Sequence, residues 1–109
     1  MAKLKATPKN YAEALAVLVG RESVRLGNNT YLELDSVECI VVRFHQTDIV
    51  NFFADGRVTL RTGGYRTVTT KERINQFILS TVYQKSRKWF VYRASDGSTV
   101  PFAEGMEAL

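Results

Sequence analysis

Apolar and polar positions change their period twice along this chain. In the run Asn10 to Val19, Tyr11, Leu15, Val17 and Leu18 with alanines between them predict a short helix. Thr7 is the expected N-cap, Pro8 suits the first helical position, and Gly20 ends the element. From Ser23 the period shortens to two. Ser23 to Leu26, Thr30 to Leu34, Cys39 to His45, Ile49 to Phe53 and Val58 to Arg61 read as strands. Gly27-Asn28-Asn29, Asp35-Ser36, Gln46-Thr47-Asp48 and the Asp55-Gly56 hairpin signal are the turns between them. Connections this short join antiparallel neighbours, so the segment is a meander and not a parallel sheet.

A helical period returns after Gly63-Gly64. Ile74, Phe77 and Ile78 stand at i, i+3 and i+4 and are expected to lie on the meander, with Leu79 widening that surface. Thr69-x-x-Glu72 has the form of a capping box, in which Thr69 caps the amide of Glu72 and Glu72 reaches back; Thr70 is the alternative cap. Ser80 to Tyr83 either extends this helix or leaves it, because Thr81-Val82-Tyr83 is β-branched and aromatic. Lys85 to Lys88 reads as a polar loop. Trp89 to Tyr92 and Ser98 to Phe102 then make a hairpin around Asp96-Gly97, Pro101 putting its second strand at an edge, and Ala103 to Leu109 reads as irregular. The fold class that follows is α+β: one domain, residues 1–109, an antiparallel β meander with an N-terminal helix and a central helix packed on it, plus a C-terminal β-hairpin.

Composition removes several kinds of chemistry. Cys39 is the one cysteine, so no intrachain disulfide forms, and its strand-like setting makes it a small buried hydrophobe. His45 is the one histidine, too little for a zinc site or a nucleophilic triad. The glycines fit neither a P-loop nor a dinucleotide fingerprint. A non-enzyme with no catalytic residues, metal or cofactor is the expectation. No run approaches the ~20 apolar residues of a membrane span, and no secretory leader is evident, which points to a cytoplasmic protein with no membrane partner.

The charge is uneven. The chain carries a formal net charge of +4, but Arg57 to Arg93 holds nine cations against the single acid Glu72. A field concentrated in one third of the chain favours an anionic partner, although a solvated basic surface gives the same count.

The bend from Gly63 to Asn75 lies inside that basic third. Gly63, Gly64 and Tyr65 offer backbone amides, Thr69 and Thr70 offer hydroxyls, and Arg66, Lys71 and Arg73 offer charge. This is the equipment of an anion site at a helix start. Arg25, Arg43 and Arg61, on strands, add to it if their faces agree. Tyr65, Phe53 and Trp89 are candidates for stacking on a base, and equally for core packing. Asn28 and Asn29 serve a turn or touch a base edge. The plain alternative for the bend is that its glycines turn the chain and its threonines cap the helix. The ligand class is a cyclic nucleotide or other phosphate-bearing small molecule.

Four strings carry a resemblance: Leu26-Gly-Asn-Asn-Thr-Tyr-Leu32, Val42 to Val50, Asp55-Gly56-x-Val58-Thr59-Leu60, and Gly63 to Asn75, with Val100 to Met106 in addition. Together they resemble a group of small bacteriophage proteins over roughly residues 20–80 and the C-terminal end. Within that neighbourhood the chain resembles the phage Thoeris anti-defence family, which sequesters cyclic ADP-ribose isomers. The resemblance implies a small α+β homo-oligomer in the host cytoplasm that binds an immune nucleotide without cleaving it. Some assemblies of that family also hold cyclic oligonucleotides at a second site between subunits. It carries no ligand residue over to this chain. Two other readings stand beside it: a nucleic-acid-binding phage regulatory protein, and a protein-binding inhibitor of a host enzyme that uses the edge near Pro101.

Overall fold

The computed structural model describes residues 3–108. Among these the chain forms two helices and nine strands, in the mixed α+β arrangement expected from the sequence. Helix α1 (Tyr11–Leu18) is followed by β1 (Ser23–Gly27), β2 (Thr30–Ser36), β3 (Cys39–Phe44), β4 (Thr47–Phe53) and β5 (Val58–Leu60). Helix α2 (Val68–Asn75) then leads to β6 (Thr81–Lys85), β7 (Lys88–Tyr92), β8 (Thr99–Pro101) and β9 (Met106–Glu107). No helix among the described residues is long and apolar enough to cross a membrane.

The strands form two antiparallel sheets. The first has the order β1-β2-β3-β4-β5-β9 and the second β6-β7-β8. Every pairing in the first sheet up to β5 is between sequence neighbours, which is the meander that the short turns required. The ninth strand corrects the expectation of an irregular tail. Met106 pairs with Leu60 and Glu107 with Thr59, and Ala108 donates to the Val58 carbonyl.

One face of the first sheet meets the helices. Leu32, Ile40, Val42, Val50, Phe52 and Leu60 are buried there against Ala14 and Leu18 of α1 and Ile74 of α2. Val82, Trp89, Val91 and Phe102 join the same cluster from the second sheet and its flank, so both sheets share one core. Phe77 is fully buried, and truncating it to Ala removes contacts worth about 3–5 kcal/mol.

Both helix starts differ from the sequence reading. Asn10, not Thr7, caps α1: its side chain accepts from the Glu13 amide at 2.9 Å, while Glu13 Oε1 accepts from the Lys9 amide at 3.0 Å. The acid three residues on thus reaches back past the cap to the residue before it, a variant of the capping box carried by the first helix. At α2 the cap is Thr67, whose hydroxyl accepts from the Thr70 amide at 3.2 Å. Thr69, Thr70 and Glu72 therefore lie inside the helix. The helix stops at Asn75, earlier than the apolar pattern suggested, because the Gln76 amide tightens onto Arg73 and Ile74. Phe77 and Ile78 are buried beyond its end, whereas Leu79 is exposed. After the turn Gln76 to Ser80 the chain enters β6, the second of the two courses open to Ser80–Tyr83.

Candidate functional site

The Gly63-Gly64 bend holds an anion, and the anion is the chain's own. Glu104 Oε1 accepts from the amides of Thr62 at 2.7 Å and Gly63 at 3.0 Å. Its Oε2 accepts from the Thr62 hydroxyl at 2.6 Å, and Arg66 Nη2 stands 3.7 Å from it. The remaining amides turn inward too, Gly64 donating to Thr62 Oγ1 and Tyr65 to the Thr62 carbonyl. Burial pushes the Glu104 carboxyl upward, but the donors of Thr62 and Gly63, with Arg66 beside them, outweigh it and hold the group below the ordinary carboxylate range. Arg66 also lies over the Phe102 ring at 5.0 Å. The expectation of free amides at this bend is thus corrected. The residue types do suit an anion, and a carboxylate 41 and 42 positions downstream of Gly63 and Thr62 fills the place.

The other cations proposed for this site are scattered. Arg25 and Arg43 flank Tyr31 in one cross-strand row, on the sheet face away from the core. Arg43 is bound to Glu33 at 2.8 Å and Asp48 at 2.9 Å, and Arg25 donates to Asn28. Lys71 is half-buried on α2. Arg73 is 3% exposed, with its guanidinium 5.4 Å from the centre of the Phe44 ring and Nη1 on the Gln76 carboxamide. No carboxylate pairs with it among the described residues, its Nε has no partner, and burial pulls its pKa down. Trp89 is buried edge-on to Phe102, and Phe53 lies beneath Arg57, so neither is free to stack on a base.

A cleft of about 770 Å³ opens beside the bend. Three of the proposed residues, Tyr65, Thr69 and Thr70, line it. The opposite wall is the β3–β4 turn, with Phe44, His45, Gln46 and Thr47, and Asn29 from the preceding turn. Thr62 and Thr67 complete the hydroxyl lining. His45 takes φ +57°, a left-handed conformation that non-glycine residues adopt with strain, and its ring leans on Phe44 at 4.4 Å. The amide of His45 is fixed by the Asn29 carbonyl at 2.8 Å, which ties the two turns together. Two aromatic rings of the lining, His45 and Tyr65, stand near the surface, and Tyr65 is 69% exposed. A smaller cavity of about 550 Å³ shares Gln46 and Thr47 with the cleft and carries charge through Asp48, Arg61 and Glu104, next to Gly63.

Sequence reasoning passed over Phe44, Gln46, Thr47 and Thr67 as site residues and read His45 only as too little for a metal site or a triad. The clue within reach was the two-residue turn His45-Gln46, which has no Gly or Asn to relieve a left-handed backbone.

Neither the curated proteins nor the solved structures compared with this chain give a match. A family model described as "Kyanoviridae Gp96 protein" matches residues 7–108, which takes in both helices, both sheets and the cleft. The chain therefore belongs to the Kyanoviridae Gp96 family, a family of bacteriophage proteins.

Proposed function

We propose that this phage protein binds a nucleotide signal in the cleft between the β3–β4 turn and the start of α2, and removes it from the host's defence by holding it without cleaving it. The observation that carries the reading is the lining: aromatic rings at His45 and Tyr65, above the buried Phe44, face a row of hydroxyl and carboxamide groups, and no carboxylate is among them. Such a surface accepts a planar base against its rings and sugar hydroxyls against its threonines. The phosphates lie toward the first turn of α2, where the amides at the first two helical positions, Val68 and Thr69, have no intrahelical acceptor.

A cyclic ADP-ribose isomer is the ligand class that the phage anti-defence resemblance offers first, with a homo-oligomer in the host cytoplasm as its setting. The bend at Gly63-Gly64, filled by Glu104, supports the site from behind and does not touch the ligand in this reading. Titration calorimetry against cyclic ADP-ribose isomers and cyclic oligonucleotides tests it. Saturable heat that Tyr65→Ala abolishes, with the ligand recovered intact by mass spectrometry, is the expected result. Absence of heat with every compound removes the proposal.

A further inference from the structure

The second sheet turns one face away from the core, where Tyr83 and Phe90 are half-buried and Tyr92 is exposed. In the register of β6, β7 and β8, Tyr83 pairs with Phe90 and Phe90 with Pro101, while Thr81 pairs with Tyr92 and Tyr92 with Thr99. Val82, Trp89 and Val91 alternate with these and point into the core. The outward rows therefore present three aromatic rings. Tyr83 and Phe90 are stacked at 5.7 Å with 27° between their planes, and Tyr92 is 47% exposed in the adjoining row. The third row, at the hairpin tip, is Lys85 opposite Lys88, with Arg87 in the turn between them, all exposed. No carboxylate stands on any of the three rows.

We propose that this face is a binding platform for single-stranded nucleic acid. Charge complementarity selects the occupant: Lys85, Arg87 and Lys88 stand exposed at the tip with no carboxylate paired to them among the described residues, so a polyanion is attracted. Rings on an open antiparallel sheet stack unpaired bases regardless of sequence, while flanking lysines and arginines follow the backbone. A duplex hides its base faces and cannot use the rings. Two or three bases span the rows, and the phosphates of the next nucleotides reach Lys85, Arg87 and Lys88. This site is separate from the cleft and stands or falls without it.

Fluorescence anisotropy with labelled oligo(dT) and oligo(U) of about 20 nucleotides, and a duplex of equal length, tests the platform on the full chain. Binding to one or both single strands, with the duplex weaker, is expected. Three cations predict roughly 20-fold weaker single-strand binding between about 50 and about 200 mM salt. Tyr92→Ala is expected to weaken binding by about 5- to 150-fold, whereas Tyr92→Phe keeps it, since the ring alone stacks. Replacing Lys85 and Lys88 by Ala flattens the salt dependence, and replacing Arg21 and Arg57 by Ala, an equal charge change elsewhere, does not. Tighter binding of oligo(U) assigns the site to RNA, and tighter binding of oligo(dT) to DNA. No binding of the wild-type chain to either strand, equal binding of the duplex, or a folded Tyr92→Ala variant that binds like wild type overturns the proposal.

Discussion

The carboxamide of Asn75 behaves as a missing neighbour strand for Val82. Its Nδ2 donates to the Val82 carbonyl at 2.8 Å and its Oδ1 accepts from the Val82 amide at 2.7 Å. One side chain at the end of α2 thus satisfies both main-chain groups of a buried residue on the outer strand of the second sheet. Asn75→Ala strands both groups. A loss of about 2–3 kcal/mol is expected from two unmet polar groups, read as a lower urea midpoint.

Glu104 makes stability depend on pH in a defined direction. Its folded pKa lies below the ordinary value, so the unfolded chain holds more protons between the two. Stability from this group is complete above the unfolded pKa of about 4.3 and is lost as pH falls through the folded value. Glu104→Gln should remove that segment of the pH profile. Because the carboxylate is 40% exposed, the loss at pH 7 is expected to be only about 1 kcal/mol, measured by urea unfolding across pH.

Gly63 is fixed by its backbone and its neighbour. It takes φ +63°, and a Cβ there would stand 2.9 Å from Thr47 Oγ1. Gly63→Ala meets both strain and collision, and about 1–3 kcal/mol of destabilisation is expected. Gly64→Ala has φ +87° but open space around it, so it should suffer from strain alone and lose less. Thermal melts of the pair separate the two contributions.

Much of the architecture could be read locally. The Asp55-Gly56 and Asp96-Gly97 turns, the alternation in Thr30–Leu34 and the edge position of Pro101 each follow from a few adjacent residues. The caps were harder, because Thr67, Thr69 and Thr70 are locally equivalent and only the direction of the incoming chain chooses Thr67. The Glu104 contact was out of reach, since nothing near the bend signals a carboxylate from the far end of the chain. The cleft draws on three separated segments, at Asn29, Phe44 to Ile49 and Thr62 to Thr70, so its existence depends on packing and not on any motif.

Arg73 offers a test of a different kind. A guanidinium that is 3% exposed and lacks a carboxylate partner carries a desolvation penalty that its Phe44 and Gln76 contacts offset only in part. Arg73→Met should therefore stay within about 1 kcal/mol of wild type or exceed it. Arg73→Lys should be the weaker of the two by about 1–2 kcal/mol, because a compact ammonium hydrates more strongly and loses the planar contact with the ring. Equilibrium unfolding of both variants decides the order.

The position of β9 has a consequence for synthesis. The first sheet takes its last strand from Met106–Glu107, and the turn at Gly63 takes its carboxylate from Glu104. A nascent chain still inside the ribosome has made residues 23–60 but cannot yet close either feature. The sheet's β5 border therefore remains open during elongation until Glu104 and Met106–Glu107 have been added, and these residues complete the cleft's supporting wall.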